Sequence, residues 1–190
     1  MSLARIALLL ILPVLLMAQF RPMDDQPPVD AATMEAAVRA IGSGAIVVRF
    51  GHLSSPDQNE AIAVVGRGST SFETKRTVSR LVVLRQNDSN WTAALTVDKV
   101  IRNPQGFLGA TSLDQLRRSD IYRVDFFKRT FDDGKDRFVI QLTPADADGK
   151  AAGPSVYVSW NPLVGRYQQI SLQGYGFEPE IHEPLPAKAQ

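Results

Sequence analysis

Two histidines and a cysteine count of zero set the chemical inventory of this 190-residue chain. His52 stands in Gly51-His52-Leu53-Ser54-Ser55-Pro56-Asp57, beside two hydroxyls and a carboxylate. A hydrolase built there would use His52 as general base and Ser54 or Ser55 as nucleophile. Triad members normally converge from separate loops, and the chain carries no Gly-x-Ser-x-Gly elbow. The segment therefore reads as a polar loop between strands, with Ser54 or Asp57 capping a turn.

His182 lies in Glu178-Pro179-Glu180-Ile181-His182-Glu183-Pro184, where three carboxylates and an imidazole are the ligand types of a divalent metal. Flanking prolines and scarce apolar residues point instead to an extended tail, which supplies no fixed outer shell for a metal. Asp132-Asp133-Gly134-Lys135-Asp136 has the acidic density of a calcium loop but lies at hairpin spacing, where Asp-Gly makes a turn. Trp160 and Tyr167 flank Asn161-Pro162-Leu163-Val164-Gly165-Arg166, a Pro-started turn. These two aromatics would pack across a hairpin or anchor a sugar or peptide, and packing is the expectation. Asn87-Asp88-Ser89 and Asn90-Trp91-Thr92 both match the glycosylation sequon at one turn. Nothing singles out a carboxylate pair for glycosidase chemistry. No catalytic, cofactor-binding or metal-ligating residue is assigned, and the expected cofactor is none.

Strands must position most of these groups. Ala32–Ile41 has helical spacing, with Met34, Ala37, Val38 and Ile41 on one face and Asp30 or Thr33 as N-cap. Eight strands are predicted: Ala45–Phe50, Ala61–Gly66, Val78–Gln86, Trp91–Val100, Ile121–Lys128, Arg137–Thr143, Ser155–Trp160 and Arg166–Leu172. Polar turns separate them at Asn87-Asp88-Ser89-Asn90 and Asn103-Pro104-Gln105-Gly106. Ser112–Arg118 is a second, short helical candidate.

A shift of 76 residues lays Ile46, Val48 and Phe50 on Tyr122, Val124 and Phe126, and Ile62 and Val64 on Phe138 and Ile140. It also pairs Val82 and Leu84 with Val158 and Trp160, and Trp91 with Tyr167. Apolar pattern rather than identity agrees, as in a supersecondary unit used twice. The predicted class is α+β, predominantly antiparallel β, with two helix-plus-four-strand units; an all-β sandwich is the alternative. The first unit covers 32–102 and the second 112–174, in one domain or two, with a flexible linker at 19–31 and a Pro-rich tail at 175–190. Two such units in a small secreted chain resemble the architecture of the β-lactamase inhibitor proteins, which implies protein binding; no motif residue is shared.

The start of the chain carries an address. Arg5 precedes an unbroken apolar run from Ile6 to Ala18, too short to span a bilayer and followed by polar residues, so 1–18 is expected to be a signal peptide cleaved after Ala18. The mature chain then holds equal numbers of basic and acidic residues, which removes the electrostatic drive toward nucleic acid. Without cysteine there is neither a disulfide nor a lipid-accepting residue, so no stable membrane anchoring is expected after cleavage. The expected protein is exported, periplasmic or secreted. It binds another protein, a peptide or an envelope component; an extracytoplasmic hydrolase with a dispersed Asp, Glu, Ser and His site is the alternative.

Overall fold

Asp30 stands at the head of the first helix. Its backbone is extended, and its side chain accepts a hydrogen bond from the Thr33 amide at 2.7 Å, capping helix α1 (Ala31–Ile41). The computed structural model describes residues 29–66, 76–108, 120–171 and 176–177. The expected signal peptide, most of the linker, the Ser112–Arg118 candidate and the tail beyond residue 177 lie outside them. Gly42 ends α1 with a positive φ of 95° and a 2.8 Å hydrogen bond from its amide to the Val38 carbonyl.

The buried face of α1 is Thr33, Ala36, Ala37 and Ile41. Ala37 and Ile41 match the expected stripe, but Met34 and Val38 are exposed at 37% and 41%. The helix is turned by about one residue because it lies on Ala61 and Ala63 of the sheet, where its own alanines make the contact. Small side chains on both surfaces pack without the larger Met34 and Val38, which stay outside.

Ten antiparallel strands follow among the described residues: β1 (Ala45–Gly51), β2 (Glu60–Gly66), β3 (Arg76–Asn87), β4 (Asn90–Val97), β5 (Ile101–Asn103), β6 (Gly106–Phe107), β7 (Tyr122–Thr130), β8 (Asp136–Pro144), β9 (Val156–Asn161) and β10 (Arg166–Gln169). The organising strand is β3. It pairs with β2 along one edge, while β4 takes Leu81–Asn87 of the other edge and β7 takes Arg76–Val78. Two sheet halves are therefore joined through one strand. Their inner faces share a core in which Ile62, Val64, Leu81 and Val83 meet Phe138, Ile140, Leu142 and Val158. Helix α1 covers the outer face of the first half, and Phe131, Val139 and Ile170 cluster on that of the second.

All eight expected strands are found in this predominantly antiparallel β architecture, with shifted ends. Trp91–Val100 is corrected: β4 stops at Val97, where Asp98 turns the chain by accepting from the Lys99 and Val100 amides at 2.7 and 3.2 Å. The final strand ends at Gln169 instead of Leu172. At the 76-residue offset, Val48 and Val124, Ile62 and Phe138, and Val64 and Ile140 all face the shared core. Val82 faces α1 whereas Val158 faces that core, so the third strands are out of phase by one residue.

The β7–β8 connection is a turn with Gly134 at φ 73°. Asp133 pairs there with Arg137, whose guanidinium also lies 4.5 Å from the Phe131 ring centroid. Hydrogen bonding from Arg137 holds the Asp133 carboxyl down at about 2.

Two outcomes are expected. Ala37→Leu overpacks the helix–sheet contact and lowers unfolding free energy by about 1–3 kcal/mol in urea denaturation, whereas an unchanged midpoint would contradict the alanine contact. Because folding lowers the Asp133 pKa, its contribution is present above the ordinary value of 3.8 and is lost as pH falls toward 2. Asp133→Asn should therefore flatten the fall in melting temperature between those pH values.

Candidate functional site

At the rim of the shared core the alternation that buries apolar side chains carries charged ones inward. Glu60 is in phase with Ile62 and Val64 on β2, and Arg85 is in phase with Leu81 and Val83 on β3. The two are cross-strand neighbours, with Arg85 Nε 3.4 Å from Glu60 Oε1. Glu60 is fully buried. The Tyr167 hydroxyl, from β10 in the other half, donates to Glu60 Oε1 at 3.2 Å, and the Ser54 amide donates to Oε2 at 2.8 Å. Burial pushes the Glu60 carboxyl above its ordinary range, against the opposing pull of Ser54, Arg85 and Tyr167. Burial and the neighbouring Glu60 charge drive the Tyr167 phenol far upward, so it serves as a donor.

Trp160 extends this cluster toward the surface. The Arg85 guanidinium carbon lies 3.4 Å from the Trp160 ring centroid, a cation–π contact. Trp160 and Tyr167 are cross-strand neighbours whose rings meet edge to face at 5.5 Å and 72°. The polar loop before β2 is strapped to β3: Gln58 Nε2 donates to the Gln86 carbonyl, and Asn59 Nδ2 donates to Gln86 Oε1 at 3.0 Å. Above this floor opens a cleft of about 330 Å³, between Thr92–Ala94 of β4, the Pro104–Gln105 turn, and Trp160, Gly165 and Arg166 of the β9–β10 hairpin.

A second cleft, of about 530 Å³, lies beside Arg80, Asp98, Lys99 and Arg102. Its charges have structural work. Arg102 pairs with Asp98, and Arg80 Nη1 donates to the Ile41 carbonyl at the end of α1, at 2.8 Å. The first cleft is the stronger candidate because a buried ionic cluster fixes its floor.

His52 is exposed and does not line that cleft. The Ser54 hydroxyl is buried beside Glu60 and Tyr167, and Ser55 Oγ accepts from the Asp57 amide at 3.4 Å within the loop. Asp132 to Lys135 lie in the β7–β8 turn and Asp136 opens β8, and His182 and its glutamates lie outside the described residues. Among the described residues no group of three or more His, Asp or Glu is placed to hold a metal. Tyr167 is buried and Arg85 covers a face of Trp160, so neither ring is a bare platform for a sugar.

Glu60, Arg85 and Arg166 were not singled out by motif reasoning. Their signal was present in the alternation: Glu60 and Arg85 occupy core-facing positions at strand ends, which charged residues occupy when paired. No family model, curated protein or solved structure matches the chain, so the site stands on its geometry.

Glu60→Ala would leave Arg85 with an uncompensated buried charge and cost about 3–5 kcal/mol in urea denaturation. Glu60→Leu combined with Arg85→Met should recover most of that loss. Equal costs for the single and double variants would refute the charge-pair account.

Proposed function

We propose that this chain is an exported, non-enzymatic binding module that takes a protein, peptide or cell-envelope ligand in the cleft above Trp160. Export rests on the sequence from Met1 to Ala18, with cleavage after Ala18. The neutral mature charge argues against nucleic acid as partner. No helix among the described residues is long and apolar enough to cross a membrane.

The observation that carries the binding reading is the Arg85–Trp160 stack at the floor of an open cleft. Arg85 has its Nε beside Glu60 and its plane laid on the indole, so little side-chain freedom remains to be lost when a ligand arrives. Amide and hydroxyl side chains from Gln58, Asn87, Thr92 and Gln105 line the same opening. Such convergent polar groups beside an aromatic are the usual equipment of a recognition site. The hydrolase reading has no comparable support, since neither His52 nor Ser54 lines the cleft. We also read the two strand sets as copies of one unit, supported by the agreement of their first two strands and weakened by the one-residue slip of the third.

Gln105→Trp fills the cleft from an exposed turn without touching the core. Affinity capture from the organism's own envelope fraction and culture fluid, followed by mass spectrometry, should recover a partner with the mature wild-type protein. Recovery should fall at least about tenfold with Gln105→Trp at unchanged melting temperature, a loss of ~1.4 kcal/mol in binding. Equal recovery by both proteins would place binding elsewhere.

A further inference from the structure

We infer that Glu60 works as a proton-operated clamp on Arg85: ionised, it holds the guanidinium on the Trp160 indole, and protonated, it lets the guanidinium turn out into the cleft. The consequence for ligand binding rests on the binding-module reading; the clamp itself does not.

One charge and one ring hold Arg85. Among the described residues Glu60 is the carboxylate paired with it, with Nε 3.4 Å from Oε1. On its other side the guanidinium carbon lies 3.4 Å from the Trp160 ring centroid. Arg85 Nη1 is buried and makes no hydrogen bond among the described residues, so part of its donor capacity goes unused in this posture. The Arg85 side chain is 12% exposed and lines the cleft, which opens a path to water. Without the Glu60 charge the balance turns. A buried cation that has lost its counter-charge gains more from hydration than from the indole alone.

Glu60 is placed to take up the proton. Its side chain is fully buried at the start of β2. Arg85 reaches it from β3 and the Tyr167 hydroxyl from β10. The preceding loop brings the Ser54 amide, while His52 and Asp57 of that loop are exposed. From β1, Gly51 stands opposite Glu60, and Arg49 lies over the Phe126 ring at 5.5 Å from its centroid. Burial outweighs the pull of Ser54, Arg85 and Tyr167 and raises the carboxyl. A carboxyl raised by folding adds stability below its ordinary 4.5 and loses that contribution as pH rises through the folded value. The clamp therefore opens in acid without this group unfolding the chain. Protonated Glu60 keeps its volume, so the rearrangement is confined to Arg85 and the cleft floor. In the binding reading, an ordered Arg85 spares a ligand the entropy of fixing that floor, and a freed Arg85 restores the cost. The ligand is then held near neutral pH and released in acid.

The clamp is tested on the ligand-free mature protein by NMR, titrated from about pH 8 to about pH 4. The reporters are Glu60 Cδ, the Arg85 Nε–H and the Trp160 indole N–H. Glu60 Cδ should titrate with a midpoint above 4.5, and the other two signals should move with the same midpoint. In Glu60→Gln they should stay at the acid-form position at every pH. A Glu60 midpoint at or below 4.5 would overturn the clamp. Arg85 and Trp160 signals that do not follow Glu60 would overturn it too, as would an unchanged pH response in Glu60→Gln. Should that variant not fold, the coincidence of midpoints in the wild-type protein decides alone. Recovery of an envelope partner at neutral pH should drop at least about threefold with Glu60→Gln, and full recovery would overturn the link to binding. Recovery unchanged by Gln105→Trp would sink the module reading instead, while the clamp would still stand or fall on the titration.

Discussion

Everything at the rim of this protein depends on keeping one carboxylate dry. Glu60 is buried and is compensated from three places: by hydrogen bonds from the Ser54 amide and the Tyr167 hydroxyl, and by the Arg85 charge. Tyr167 lies 107 residues further along the chain, so the carboxylate links the two halves of the sheet. A buried ion pair of this kind is weak evidence of stability, because desolvation consumes much of the Coulomb energy. Its value here is geometric. It fixes where Arg85 lies, and Arg85 in turn fixes the face of Trp160 that the surface can use.

The strands were legible because their alternation is regular and their turns carry the expected chemistry. Asp88 adopts a positive φ of 53° in the two-residue turn between Asn87 and Asn90, as short polar side chains permit. Gly134 and Gly165 supply the same conformation at their turns. The face of α1 was less legible because alanine marks neither surface nor core. Stripes through Met34 and Val38 or through Ala36 and Ala37 fit the helical period equally well. Only the alanines of β2 decide between them, and that pairing is tertiary.

The candidate site was missed for a related reason. Motif reasoning asks which residues could react, and it led to His52, His182 and the Asp132–Asp136 turn. His52 and the Asp132–Asp136 stretch do not line the described cleft, and His182 lies outside the described residues. The residues that organise it are distinguished by phase rather than type: Glu60 and Arg85 continue an inward series of aliphatic side chains. A charged residue in that phase demands a partner, but the series cannot name Tyr167, which is remote in sequence and reached only when the halves close. Trp160 and Tyr167 were correctly seen as neighbours across a hairpin. The contact of Trp160 with Arg85 and the bond from Tyr167 to Glu60 bring the hairpin against the first half of the molecule.

The double use of β3 has a mechanical consequence. Among the described residues the two halves share strand pairing along Arg76–Val78 and Tyr122–Val124, a seam three residues long. Elsewhere the joint is made by side chains, including the Tyr167–Glu60 bond and the common apolar core. Such a joint resembles a book bound by a short spine and kept shut by its pages. Torque between the halves would bear on the side-chain contacts first, while each half retained its own ladders. The closed form is therefore a property of packing, and the spine sets only the axis about which it would open.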